Sequence, residues 1–311
     1  MTKINDIATL IFSKNRPLQL SLLLDSFYNQ CLQPNTTDIY VVYTYDDQYE
    51  DSYNQLIKEQ KEKERNNIQF IDESRFISFK SSFVYNIKKY DYIMFLVDDN
   101  IFTNHFDLSQ IKSLLEYNLD AIGFSLRLGK NTKHCYPLNR KQEIPEAIGH
   151  NYVINFSSFY EIMERGFLPE ANFHIFAFDW SKSQLDFKYA LEISSSIYRI
   201  KDIRALLENL KYKNPNELES QLYANLWQFY SKPKLLSYYR SVAFCAPMNK
   251  VQDVARNNRF SDINIYSEKS MLTMYKNGFR IDWKKFSGFI SNGCHQEVEL
   301  YTMEEFEKYG I

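Results

Sequence analysis

The 311-residue chain is 44% hydrophobic and carries 37 basic and 39 acidic residues, a formal charge of −2. That length buries one full-sized core with elaborations, and the balanced charge lacks the basic footprint that a nucleic-acid partner requires. No window approaches the ~20 apolar residues of a membrane span, and the apolar run before Ser13 is too short for a signal peptide, so any membrane contact is expected to be peripheral.

Along the first 130 residues, short apolar runs alternate with amphipathic stretches. Strands are expected at Ile7 to Phe12, Asp38 to Thr44, Ile68 to Ile71, Tyr92 to Val97 and Ala121 to Ser125. Helices are expected at Pro17 to Gln30, Tyr49 to Arg65, Ser74 to Lys89 and Asp107 to Tyr117. Pro17 suits a first helical turn because its missing N–H would be unpaired there, and Leu20, Leu23, Leu24 and Phe27 form a buried stripe. Repeated strand-then-helix order predicts an α/β fold with a mostly parallel central sheet flanked by helices. In such sheets ligands bind at the strand-to-helix turns.

Beyond residue 130 the pattern loosens into a polar loop containing Pro137 and Pro145. A helix near Ser157 to Arg165, a strand near Tyr189 to Arg199 and helices near Ile203 to Leu210 and Pro215 to Tyr230 are expected next. The tail offers one strand, Ser241 to Cys245, among mixed helix and coil. This divides the chain into a ligand-binding α/β half over 1–130, a second half of the same domain over 131–235, and a C-terminal extension over 236–311. Cys31, Cys135, Cys245 and Cys294 lack metal-site spacing and point to a reducing cytoplasm.

The apolar run Tyr92 to Val97 ends abruptly in Asp98, Asp99 and Asn100. Adjacent carboxylates at the end of a buried strand repel each other and resist desolvation, so a positive partner is expected there. A divalent cation carrying a diphosphate suits such hard oxygen ligands, Mg²⁺ or Mn²⁺ above all. A turn whose acids simply face water is the alternative.

Taken in order, ATLIFSKNRPLQLSLLLDSFYNQ, VVYTYDD and YDYIMFLVDDN resemble the first strand and helix, the second strand end and the aspartate motif of GT-A-type glycosyltransferases, bacterial family 2-like members included. The resemblance covers roughly residues 7 to 126. It implies a Rossmann-type core, a nucleotide-diphosphate sugar donor, most simply a UDP-sugar, and a saccharide or glycoconjugate hydroxyl as acceptor. On that mapping Ser13, Asn15 and Arg16 line the nucleoside site, Asp46 or Asp47 meets base or ribose, and Lys80 approaches the phosphates. Asp98 falls near the ribose and Asp99 near the metal. Asn100 stands where many members carry a final aspartate of the metal motif, and a neutral amide oxygen binds a divalent ion less strongly than a carboxylate.

The resemblance also implies that a late histidine, here His295, completes the metal shell. It implies an inverting hexosyltransferase whose base is an acid at a helix start, either Glu217 or Glu219. The same segment, Asn214 to Glu219, reads equally as a helix cap. Asp179, beside Trp180, is the alternative base, with Trp180 stacking on a sugar. Arg127 is expected to touch donor or acceptor or to form a salt bridge. Two other functions stay open. One is a nucleotidyltransferase acting on a sugar phosphate, against which stands the absence of glycine from Lys14 to Arg16. The other is an inactive GT-A-like binding module, which Asn100 favours. The Lys, Asn, Ile and Tyr content suits a low-GC bacterial genome and polysaccharide biosynthesis.

Overall fold

The computed structural model describes residues 5–148, 174–249 and 264–310. In chain order the regular elements begin with β1 (Ile7–Lys14), α1 (Pro17–Gln30), β2 (Thr37–Thr44), α2 (Glu50–Glu62), β3 (Ile68–Asp72), α3 (Phe79–Ile87) and β4 (Tyr92–Val97). Next come β5 (Asn100–Phe102), α4 (Leu108–Tyr117), β6 (Ala121–Ser125), β7 (His134–Cys135), β8 (Arg140–Lys141) and β9 (Ile175–Asp179). The last are β10 (Ser196–Arg199), α5 (Ile200–Asn209), α6 (Pro215–Ala224), β11 (Lys234–Tyr238), β12 (Ala243–Cys245), α7 (Glu268–Lys276) and α8 (Met303–Tyr309).

Eight strands form one sheet in the order β3-β2-β1-β4-β10-β6-β11-β9. Only β10 and β9 run against their neighbours, so the sheet is mostly parallel, as expected. Alternation along β1 explains the two-sided burial. Ile7 and Ile11 join the apolar cluster that contains α1, whereas Ala8, Leu10 and Phe12 join the one that contains Phe79 and Phe83 of α3 and Ile203 of α5. The five strands expected within the first 130 residues all form, and α1 has the expected bounds.

The second half departs from expectation in several places. Of the strand expected over Tyr189 to Arg199 only β10 pairs, because Ser195 takes a left-handed φ of 126° just before it and breaks the extended run. Strands β9 and β11 were not legible, since short, fully buried runs carry no alternation to separate strand from helix. The helix expected near Ser157 to Arg165 lies outside the described residues. The boundary expected at 235/236 falls within β11. Met271, Met274, Tyr275, Phe279 and Tyr301 share the apolar cluster of α1, and β12 pairs with β5 beside the acid pair.

Close packing also fixes one glycine. A Cβ at Gly123 in β6 would lie 2.6 Å from the Tyr198 ring and 2.8 Å from the Ile197 carbonyl oxygen on β10. Gly123→Ala is therefore expected to cost roughly 1–3 kcal/mol through overpacking in the centre of the sheet. Urea unfolding reads this directly, and an unchanged midpoint would show that β10 and β6 do not pack this way.

Candidate active site

The carboxyl ends of β1 and β4 lie side by side, with Phe12 opposite Val97. The chain leaves β1 toward β2 on one side and reaches β4 on the other, so a crevice opens between the two strand ends, where open α/β sheets take ligands. The loop after β1 is shaped by Asn15, whose φ of 55° is a left-handed conformation that asparagine tolerates. Its side-chain amide donates to the Asp46 carboxylate at 2.7 Å, and its Oδ1 accepts from the Asp46 backbone N–H at 2.9 Å. The Ser13 hydroxyl lies 2.8 Å from the Tyr53 hydroxyl, which also accepts from the Arg16 N–H at 3.3 Å. The ends of β1 and β2 are thus stitched together before any ligand arrives. Asp47 is exposed at the start of the following 3₁₀ turn.

The acid pair has its cation within the chain. Arg16 Nη1 lies 3.0 Å from Asp98 Oδ1 and 3.4 Å from Asp99 Oδ2. Asp98 Oδ2 accepts the Lys14 N–H at 3.1 Å. Arg16 Nε donates to Asn249 Oδ1 at 3.0 Å, and its Nη2 donates to the Asn249 carbonyl. Burial works against the charge of Arg16, but Asp98 and Asp99 outweigh it and hold its pKa above the ordinary arginine value. Asp99 is less well served. Burial, reinforced by Asp98 and only partly offset by Arg16, pushes its carboxyl up to about 6, and its Oδ1 is buried without a hydrogen-bond partner among the described residues.

A second cluster lies on the same edge of the sheet, because β10 begins beside Phe95 and Ser125 near the carboxyl ends of β4 and β6. Arg127, just after β6, pairs with Glu192 at 3.4 Å, and both side chains are buried. Glu192 also accepts from the Ser194 N–H and the Ser196 hydroxyl. Glu219 on α6 accepts the Ile193 N–H at 3.2 Å. Burial raises its carboxyl above the ordinary range, Arg127 offsets part of that, and Glu192 adds to it.

Several expected site residues are placed elsewhere. Lys80 donates to the carbonyls of Glu208 and Leu210 near the end of α5, so it serves a helix terminus rather than phosphates. Asp179 and Trp180 lie at the wrong edge. Strand β9 runs against β11, with Asp179 opposite Lys234, which itself lies opposite Ala121 at the start of β6. Asp179 caps a 3₁₀ turn through Ser181, and Trp180 is buried against Tyr230 with its indole N–H on the Lys232 carbonyl. Glu217 accepts the Lys213 N–H and the Asn214 amide at the start of α6, which is the capping geometry. Asn100 is fully buried, accepting from the Val97 N–H and donating to the Ser194 carbonyl at 2.9 Å and to Cys245 Sγ at 3.1 Å. Its amide ties the acid turn to the Ser194 loop, which corrects its expected place in a metal shell.

His295 bridges in parallel to Cys245, on the far side of β12 from β5. Burial, with help from Arg127, lowers its pKa to about 3, and its Nδ1 has no partner among the described residues. Among the described residues no three His, Cys, Asp or Glu side chains come together in a metal-binding group, so the structure does not bring His295 into a cluster with Asp99. Sequence reasoning missed Asn249, Glu192 and Tyr53. Glu192 lay inside a segment read as strand, Tyr53 inside a plain amphipathic helix, and nothing local marks Asn249, 233 residues from Arg16.

The sequence is similar to that of a glycosyltransferase. It is 26% identical over 307 residues to the bifunctional glycosyltransferase pgtA of Dictyostelium discoideum, across 86% of this chain and 36% of that protein. The chain thus spans little more than a third of the relative's length. No protein-family model matches it. Among solved structures, S. aureus TarS overlaps 88% of this chain and 44% of its own, with a TM-score of 0.44 and 11% identity. TarS 1-349 in complex with UDP-GlcNAc overlaps 88% and 72%, at 0.43 and 10%. The mannosyltransferase PcManGT of Pyrobaculum calidifontis, in complex with GDP-Man and Mn²⁺, overlaps 42% and 37%, at 0.32 and 10%. These overlaps are loose, and the α/β fold described above rests on strand order and register instead.

Proposed function

We propose that this chain is a GT-A-type glycosyltransferase that moves a hexosyl group from a nucleotide-diphosphate donor to a hydroxyl of a saccharide or glycoconjugate, with inversion. The observation that carries the reading is the buried acid pair at the carboxyl end of β4, clasped by Arg16 to the loop after β1 at the crevice of the sheet. The similarity to a glycosyltransferase over most of the chain supports it. Ser13, Asn15, Arg16, Asp46, Asp47 and Asp98 form the nucleoside side of the crevice. A UDP-sugar is the first donor to test. The cysteines, all free and buried, suit a cytoplasmic setting.

A divalent cation fits here in one form. Asp98 has both oxygens engaged and Asn100 is committed to the framework, which leaves the buried Oδ1 of Asp99, unpartnered among the described residues, as the protein donor. One carboxylate with substrate phosphates suits Mg²⁺ or Mn²⁺, which need no all-protein cage. Bound there, the cation would neutralise charge gathering on the departing diphosphate. The chain's own part is to hold Asp99 in place through Arg16 and the Ala246 N–H on its backbone carbonyl, 2.9 Å away. Glu219, with its raised pKa and its place on the same edge, serves as the base for the acceptor hydroxyl.

Calorimetric titration with UDP and GDP in the presence of Mn²⁺ tests the reading. Asp99→Asn is expected to weaken nucleotide binding about tenfold or more, the equivalent of ~1.4 kcal/mol, without lowering Tm. The sign follows from the raised pKa. Because Asp99 titrates near 6 when folded rather than at the ordinary 3.8, its ionised form costs stability, and the cost grows as pH climbs through that window. Asparagine removes that cost. Failure of both nucleotides to bind the unaltered protein would end the proposal.

A further inference from the structure

A cleft of about 430 Å³ opens beside the tail. Tyr136, Asn139, Asn292, His295, Gln296 and Glu297 line it, and among the described residues neither Lys nor Arg does. Its volume falls within the range of small-molecule sites. Its walls combine amide groups with three rings, those of His134, Tyr136 and His295, and the last two have centroids 6.5 Å apart at an interplanar angle of 32°. Amides hydrogen-bond hydroxyls in either sense, and rings pack against the C–H face of a sugar. The one lining carboxylate, Glu297, accepts from the Tyr136 hydroxyl. An anionic ligand would meet that charge with no Lys or Arg of the lining to balance it.

The position of the cleft follows from strand pairing. Asn100, next to Asp99, pairs with Cys245 on β12, and Cys245 bridges to His295. Adjacent strands are about 4.8 Å apart, so His295 stands two spacings, roughly 10 Å, from the acid turn. The backbone here is held firmly: the Cys245 N–H donates to the Cys294 carbonyl at 2.9 Å, and the His134 N–H donates to the Asn292 carbonyl at 3.0 Å. Gly293 is required by that approach, since a Cβ there would lie 2.4 Å from the His134 carbonyl oxygen.

We propose that this cleft is the acceptor subsite and that it takes a neutral sugar residue, one carrying neither phosphate nor carboxylate. The inference rests on the glycosyltransferase reading. Laid across the ends of these strands, a donor sugar joined to a diphosphate at Asp99 would cover about half of that distance, and the other half matches the residue that receives it. The His295 imidazole is kept neutral, and its Nδ1, without a partner among the described residues, is a hydrogen-bond donor or acceptor beside the site according to the tautomer. Its role is recognition, since an imidazole with so low a pKa makes a poor base.

Saturation-transfer NMR tests the cleft with an equimolar set of the methyl glycosides of glucose, galactose, mannose and N-acetylglucosamine plus glucuronic acid, in the presence of UDP and Mn²⁺. One or more neutral glycosides are expected to show contact, and the uronic acid none. The side chain of Asn292 is exposed, so Asn292→Trp plugs the cleft from its rim while Asn292→Ala leaves it open. The tryptophan variant is expected to lose the glycoside signal and the alanine variant to keep most of it, with nucleotide affinity moved less than about twofold in both. Contact that survives the plug, contact favouring the uronic acid, or no contact by any glycoside would overturn the subsite. Loss of nucleotide binding in the unaltered protein would instead remove the reading beneath it.

Discussion

Glu219→Gln is expected to lower kcat by roughly 10² to 10⁴, the span that a positioned general base contributes. The amide keeps the shape of the side chain and can still accept the Ile193 N–H, so Tm is expected to hold. The pH profile separates a base from a structural carboxylate. Burial raises the folded pKa of Glu219, so its basic form is populated only above that raised value. The rate should therefore climb with pH through a limb lying above the ordinary glutamate range, and that limb should vanish in Glu219→Gln. Glu217→Gln, which touches only the cap of α6, should leave kcat within about twofold and cost a few tenths of a kcal/mol at most. A Glu219→Gln enzyme with near-normal kcat would take the base assignment away from α6 altogether.

Arg16→Ala is expected to destabilise the fold by roughly 3–5 kcal/mol, the cost of leaving buried charge without its partner. The side chains of Arg16, Asp98 and Asp99 are 10%, 5% and 15% exposed, so solvent screening offers little relief. The loss extends past the acid pair, because Arg16 also carries the hydrogen bonds to Asn249 that join the first loop to the C-terminal segment. Adding Asp98→Asn and Asp99→Asn to Arg16→Ala should recover part of the loss by removing the stranded charge. Guanidinium unfolding of the set gives the coupling directly, and a single-variant loss below about 1 kcal/mol would show that the clasp is not formed in solution.

The two variants probe different parts of one design. Arg16 neutralises an arrangement that burial alone would not tolerate, and Asp99 is left short of partners within it. Such a residue stores unfavourable free energy in the fold that a ligand can relieve, which is why Asp99→Asn should weaken binding without weakening the fold.

Chain order and local periodicity were enough to read the five parallel-sheet strands and the first helix of the first 130 residues, although α3 begins at Phe79 rather than Ser74 and β5 was not expected. The apolar runs of β1, β2 and β4 and the stripe of α1 are sequence patterns whose causes lie within a few residues, and each formed as read. The acid pair was legible for the same reason, since charge ending an apolar run is a local signal. What the sequence left open was direction and partnership. Asp179 beside Trp180 looked like a sugar site, yet the antiparallel pairing of β9 with β11 sends both to the opposite edge of the sheet. Asn100 looked like a weakened ligand, yet contacts to Ser194 and Cys245, 94 and 145 residues away, make it a strut. Local sequence determined which segments become strands and helices and where charge interrupts them. Only tertiary structure decided which edge each residue reaches and what it meets there, because the free energy of a buried polar group depends on partners that chain distance does not reveal.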